Sequence, residues 1–217
     1  MTSSLYPYIQ ESINLSDKNK DNYTLTIQYS LDGLSFVIFD NAEQKFIALK
    51  HYQYSTKDII LQDIIRELQE KEGWKLEDFK NVNILIDNNL NTLIPKDFFQ
   101  EEAKEQYLTL LNIDNNSIVM TDDIQECEAV NVFSCKEKLD FLNHNVKTYH
   151  CSTILIKKLI KDFSDRNAET RAFINVKNNS YELIILNNDK LVFHNYFNFN
   201  TKEDFIYFIL FTFDQLN

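Results

Sequence analysis

Glycine is almost missing from this chain: Gly33 and Gly73 are its only two in 217 residues. Loops that wrap phosphate need glycine where the backbone takes positive φ or must approach the ligand closely. Two isolated glycines therefore exclude, by counting alone, a GxxxxGK[ST] loop and a GxGxxG dinucleotide fingerprint. Cysteine is also scarce. Cys127, Cys135 and Cys151 are odd in number and lack CxxC spacing, so they read as reduced thiols. Positive charge is in deficit, with 22 Lys and Arg against 33 Asp and Glu and a net charge of −11. That sign opposes nucleic acid and anionic membrane surfaces. No long hydrophobic run exists: the longest, Phe205–Phe213 broken at Thr212, is far too short to cross a bilayer. The opening residues, MTSSLYPYIQES, hold neither a basic n-region nor an apolar h-region, and the expected location is the cytoplasm.

What is present is an ordinary globular balance, 44% hydrophobic and 25% charged, with 17 Phe and 11 Tyr. It is organised by a self-match. Displaced by 145 positions, Ser35–Lys57 lies over Ser180–Lys202 without a gap. Ser35 meets Ser180, Lys45 meets Lys190, and Thr56-Lys57 meets Thr201-Lys202; the apolar positions agree as well. Thr24–Tyr29 alternates as a half-buried strand, Asp32-Gly33 signals a hairpin, Leu34–Phe39 returns, and Phe46–Tyr54 alternates again. Thr56 is placed to cap a helix with Asp58 in its first turn. Ile60, Leu61, Ile64, Ile65 and Leu68 form that helix's apolar stripe, and Gly73 ends it. Val82–Asp87 is then a fourth strand. Further on, Asp97–Leu111 is expected as a helix with Phe98, Tyr107, Leu108 and Leu111 inward, and Lys136–Leu142 as a short helix. Short strands fall at Ile118–Met120, Ala129–Phe133 and Val146–His150, with a helix from Ser152.

Strand-strand-strand-helix-strand is the order of a ribonuclease-H-like sheet, an antiparallel meander with a helical crossover to a parallel strand. The fold class expected is α/β, with two such units and the second incomplete at its C-terminus. Residues 1–20 form a loosely held arm, 21–166 the first unit with an insertion, and 167–217 the second; Ser164–Thr170 is the expected hinge. The helix Phe205–Phe213 is apolar almost all round, which predicts burial on every side. Since no counterpart of Val82–Asp87 follows it, a shortened form of a longer chain is the expectation.

Two tandem ribonuclease-H-like units resemble the plan of the actin-like ATPase superfamily. Within it, Tyr23–Asp40 (YTLTIQYSLDGLSFVIFD), Leu93-Ile94-Pro95 and Lys190–Leu210 resemble an uncharacterised bacterial family of unknown function. That family is similar to the cell-division and pilus-assembly actin homologues in degenerate form. Active members of the superfamily place Asp-x-Gly-Ser/Thr in the first hairpin, so that a carboxylate holds Mg²⁺ and backbone N–H groups grip phosphate. Here the turn reads Ser30-Leu31-Asp32-Gly33-Leu34-Ser35, with Asp and Gly adjacent. The second phosphate hairpin reads Val176-Lys177-Asn178-Asn179-Ser180, with no glycine. The resemblance thus implies degenerate hairpin positions at Asp32, Gly33, Ser35, Asn178, Asn179 and Ser180.

Other candidate sites each have a plainer alternative. Asp32 and Asp87 at neighbouring strand ends would suit a two-metal nuclease site. Asp32 is equally the turn residue of an Asp-Gly hairpin, Asp87 opens the Asn88-Asn89 loop, and the first strand lacks the Asp such nucleases need. Cys127, Cys135, His144, His150 and Cys151 lie in one region but without the paired spacing of a zinc site. Adjacent His150 and Cys151 point to opposite faces of a strand, which argues against a nucleophile pair. His51 and His194 read as ordinary sheet residues. The run Phe193–Phe199 could stack bases, but alternation with Asn and the acidic charge favour a strand with one buried face. No catalytic residue, metal or cofactor is assigned, and neither nucleic-acid binding nor membrane insertion is expected. Two functions stay open: a non-catalytic scaffold for a protein partner, or a nucleotide-binding ATPase or sensor with an atypical cleft.

Overall fold

A computed structural model of the chain describes residues 6–10 (as backbone), 22–30, 33–53, 60–111, 113, 117–136, 146–163, 170–188 and 190–216. In chain order, β1 (Tyr6–Gln10), β2 (Tyr23–Ser30), β3 (Gly33–Asp40) and β4 (Lys45–Gln53) precede helix α1 (Leu61–Glu72) and β5 (Asn81–Asp87). Next come β6 (Asn91–Pro95), β7 (Ile118–Ile124), β8 (Ala129–Cys135) and β9 (Val146–His150). The chain continues through α2 (Cys151–Phe163), β10 (Thr170–Val176), β11 (Ser180–Asn187), β12 (Lys190–Asn198) and α3 (Lys202–Gln215). The sheets run β1-β4-β3-β2-β5-β9, β6-β8-β7 and β10-β11-β12. Two compact units emerge, one of residues 1–92, 100–122 and 131–152, the other of 93–99, 123–130 and 153–217. This grouping departs from chain order at 166/167 because α2 packs Ile156 and Ile160 against Ile184 and Leu186 of β11.

The first unit follows from its periodicities. β2 buries Tyr23, Leu25 and Ile27 and turns Thr24 and Thr26 outward, as a half-buried strand does. It pairs antiparallel with β3 and parallel with β5 across the α1 crossover. α1 buries Leu61, Ile64, Ile65 and Leu68; burying such a side chain fully is worth about 1.5–3 kcal/mol. Gly73 stops the helix with φ 71°, its N–H returning to Gln69 O at 3.0 Å. Trp74 then inserts between Phe36 and Phe79, edge-on to both. Asp40, buried at the end of β3, accepts from the N–H groups of Ala42 and Glu43 and closes the turn to β4.

In the second unit β11 is buried along both faces. Tyr181, Leu183 and Ile185 pack with Ile209 of α3 and with Phe193, Phe197 and Phe199, so the aromatic run Phe193–Asn198 is a strand half-buried on one face. Thr201, the residue matched to Thr56, caps α3: its hydroxyl accepts from Asp204 N at 3.1 Å, while Asp204 Oδ2 accepts from Thr201 N. Ser35–Gln53 and Ser180–Asn198 both form antiparallel hairpins. Their registers differ, since Ser35 pairs His51 whereas Ser180 pairs Asn198 and not Tyr196, the residue matched to His51. A two-residue displacement leaves every side chain on its own face.

Several expectations need correction. Residues 6–10 are not loose arm but an edge strand antiparallel to β4, whose unpaired N–H and C=O groups they satisfy. α1 begins at Leu61 with Ile60 at its N-cap and no side-chain capping bond; Thr56 and Asp58 lie outside the described residues, as do Asp32, His144, 137–142 and 164–169. Asp97–Leu111 is no α-helix. It forms tight 3₁₀ turns at Lys96–Phe98 and Glu101–Leu108, with Leu108 buried and Phe98 75% exposed. Lys96–Glu105 holds too few apolar residues to bury a helical stripe, and burial supplies most of a helix's stability. α3 is not enclosed either: only Ile209 and Thr212 are buried, Phe205 and Phe208 are half-buried, and Phe211 and Phe213 are exposed.

Candidate functional site

The parallel strands β2, β5 and β9 end side by side, Ser30 beside Asp87 and Ile86 beside His150. The carboxyl ends of parallel strands are where open α/β sheets form their ligand crevices. Asp87 is half-buried and its Oδ2 accepts from Gln28 Nε2 at 2.9 Å. His150 is fully buried against the Phe133 ring. Its Nδ1 accepts from Ser152 N at 3.2 Å, which leaves the proton on Nε2, facing Asn88 Oδ1 at 3.4 Å. Its backbone N–H donates to the buried carboxylate of Asp122 at 2.8 Å. Asn88 in turn donates to Ser134 O and accepts from Leu90 N. Asn91 Nδ2 donates to Asn131 Oδ1 at 2.8 Å, while Asn91 Oδ1 and Ser134 Oγ are buried without a protein partner. The bonds to Ser152 N and Asn88 Oδ1 make a neutral, braced histidine, and Asn88 also holds the turn at Leu90.

The hairpin positions are used in the same inward way. Ser30 Oγ donates to Gly33 O at 2.8 Å, closing the β2–β3 turn. A Cβ added at Gly33 would lie 2.6 Å from Tyr52 O and 2.8 Å from His51 Cε1, so the glycine is needed for close packing of β3 on β4. Ser35 Oγ and His51 Nδ1 share a 2.9 Å hydrogen bond across the same strands. In the second unit, Lys177 N–H donates to Ser180 O and Phe199 N–H to Asn179 O, while Asn178 and Asn179 are exposed in the turn.

Of the Cys and His candidates, Cys127, Cys135 and Cys151 are free thiols, and His150 sits at the β9–α2 junction. Among the described residues no group of three or more His, Cys, Asp or Glu gathers to hold a metal. Likewise, among the described residues no helix is long and apolar enough to cross a membrane. Burial, and then the Glu126 charge, pushes the Cys127 thiol up to about 11. A feature absent from the sequence reading is the buried pair Glu182–His194, with Oε1 to Nε2 at 2.9 Å and Asn175 Nδ2 donating to Oε2 at 3.2 Å. Its signal was a single charge inside the otherwise apolar run Tyr181–Leu186, on a strand buried along both faces.

Element order and strand-end geometry define a protein of the actin-like ATPase fold. A Bacteroides thetaiotaomicron protein described as having an actin-like ATPase fold and unknown function superposes with TM-score 0.80 at 24% identity, over 95% of this chain and 80% of that one. The family model "Protein of unknown function (DUF3822)" matches residues 12–217, and the chain belongs to that family. Fainter likenesses are a PilM–PilN type IV pilus biogenesis complex (TM-score 0.49, 11% identity, 88% of this chain and 66% of that one) and the cytoplasmic domain of EpsL from the Vibrio cholerae type II secretion system (0.36, 9%, 81% and 70%). No curated protein matches.

Proposed function

We propose that the chain is a non-catalytic, pseudo-ATPase form of the actin-like fold: a cytoplasmic bacterial scaffold, built by internal duplication, that binds a protein partner. The observation that carries this reading is the environment of Gly33. A phosphate-gripping glycine leaves its backbone open to the ligand, but here the space a side chain would fill holds the Tyr52 carbonyl and the His51 ring. The strand-end Asp87 carboxylate is engaged by Gln28, and the N–H groups of Lys177 and Phe199 serve the second turn itself. Both hairpins are thereby used for packing and turn closure. Isothermal titration of the chain with Mg²⁺-ATP tests the reading: no saturable heat at micromolar nucleotide is expected. Saturable binding, or hydrolysis lost in Asp32→Asn, would overturn it in favour of a nucleotide-binding ATPase or sensor.

A further inference from the structure

The end of β4 is held from several directions. On one edge Gln53, Tyr52, His51 and Lys50 pair with Gly33, Leu34, Ser35 and Phe36 of β3. On the other edge the same residues pair with Tyr6, Pro7, Ile9 and Gln10 of β1. Towards the core, Lys50 Nζ donates to the Glu72 carboxylate oxygens at 2.9 and 2.6 Å, and the Tyr52 hydroxyl donates to the same carboxylate. On the opposite face His51 shares its 2.9 Å hydrogen bond with Ser35. Tyr52 O and His51 Cε1, which fill the space beside Gly33, therefore belong to the one stretch of β4 that β1 covers.

Of these holds, β1 has the least to keep it in place. It is five residues long, a bulge interrupts its register between Pro7 and Ile9, and Pro7 has no N–H to give to the ladder. Segments with few contacts open at free energies well below that of the whole fold. What β1 restrains is one direction of movement. When β4 parts from β3 in the plane of the sheet, Tyr52 O and His51 move away from Gly33 and towards the place that β1 occupies, since the order is β1-β4-β3.

We propose that β1 is a strap on the first hairpin. Paired, it clamps the end of β4 over Gly33 and keeps the start of β3 closed. Released, it lets Lys50–Gln53 move outward and uncovers that backbone. The hairpin thus has two states, selected by a strand that does not itself pair with β3. The proposal rests on the packing role of Gly33 that carries the scaffold reading, and adds what enforces that packing.

The test compares the 217-residue chain with its Ile9→Pro/Gln10→Pro variant. Ile9 and Gln10 are consecutive partners in an antiparallel ladder, so one of them donates its N–H to β4, and two prolines remove that bond in either case. Circular dichroism checks that the variant folds. Gly33→Ala is then measured in both backgrounds by thermal unfolding. The fall in Tm seen in the parent should shrink by about half or more once the strap is broken, because β4 can yield. The His51 imidazole signals should shift in the strap variant, and those of His194 in the second unit should not. A Gly33→Ala fall that is equal in the two backgrounds, or His51 signals that do not move, would overturn the strap and leave the packing role standing. No fall in the parent would overturn both. If the prolines unfold the chain, hydrogen exchange in the parent decides. Amides of Lys50–Gln53 directed at β1 should exchange roughly tenfold faster than those directed at β3, and equal protection would overturn the proposal. Mg²⁺-ATP titration reads the nucleotide question separately.

Discussion

Gly33→Ala is the substitution that most directly separates a packing glycine from a phosphate-binding one. The new methyl would sit 2.6 Å from Tyr52 O and 2.8 Å from His51 Cε1, distances that real Cβ contacts do not sustain. The carbonyl belongs to the backbone of a paired strand, Gly33 lying opposite Gln53, and cannot swing aside. The His51 ring is held by Ser35, so moving it breaks a 2.9 Å hydrogen bond. β3 and β4 must therefore part by several tenths of an ångström at the start of their ladder. Overpacking of this kind costs about 1–3 kcal/mol, and the smaller conformational freedom of alanine in the unfolded chain returns about 0.4–1 kcal/mol. A net loss of about 1–2 kcal/mol corresponds to a Tm lowered by about 2–8 °C for a chain of this size. Thermal unfolding followed by circular dichroism measures it. Gly73→Asn is the companion: Gly73 has φ 71° with nothing within 4 Å, and Asn tolerates that conformation, so its Tm should hardly move. A Gly33→Ala protein as stable as the parent would refute the packing argument. The refutation would be sharper still if the parent bound Mg²⁺-ATP and the variant did not.

Two further outcomes are expected. Removing one member of the buried Glu182–His194 pair takes a hydrogen-bond partner from the other, so Glu182→Val or His194→Leu alone should cost about 1–3 kcal/mol in urea unfolding. The double substitution should cost less than either single one, since it leaves neither polar group behind; a cost equal to their sum would refute the coupling. Cys127 ionises near 9.0 when unfolded and near 11 when folded, so the folded state keeps a proton that the unfolded state has released. Its contribution is complete below pH 9 and is lost as pH rises towards 11. The urea midpoint should fall more steeply over that window in the parent than in Cys127→Ala, and parallel slopes would refute it.

What the chain revealed by itself was whatever rests on neighbours in sequence. Alternation placed β2 to β5 and a 3.6-residue stripe placed α1, because each pattern records which face of one element meets the core. The scarcity of glycine likewise excluded a GxxxxGK[ST] loop and a GxGxxG fingerprint. Tertiary structure decided what depends on residues far apart in the chain. β1 is a strand only because β4 presents an unpaired edge, and Gly33 is required only because Tyr52 and His51 arrive from another strand. His150 becomes a neutral brace through Asn88 and Asp122, from separate segments. Glu182 is tolerable in a buried strand because the next strand brings His194 to it. The exposed face of α3 is the clearest case: its sequence says apolar on all sides, but whether a helix is enclosed depends on which strand lies along the sheet edge beside it, and no local pattern carries that information.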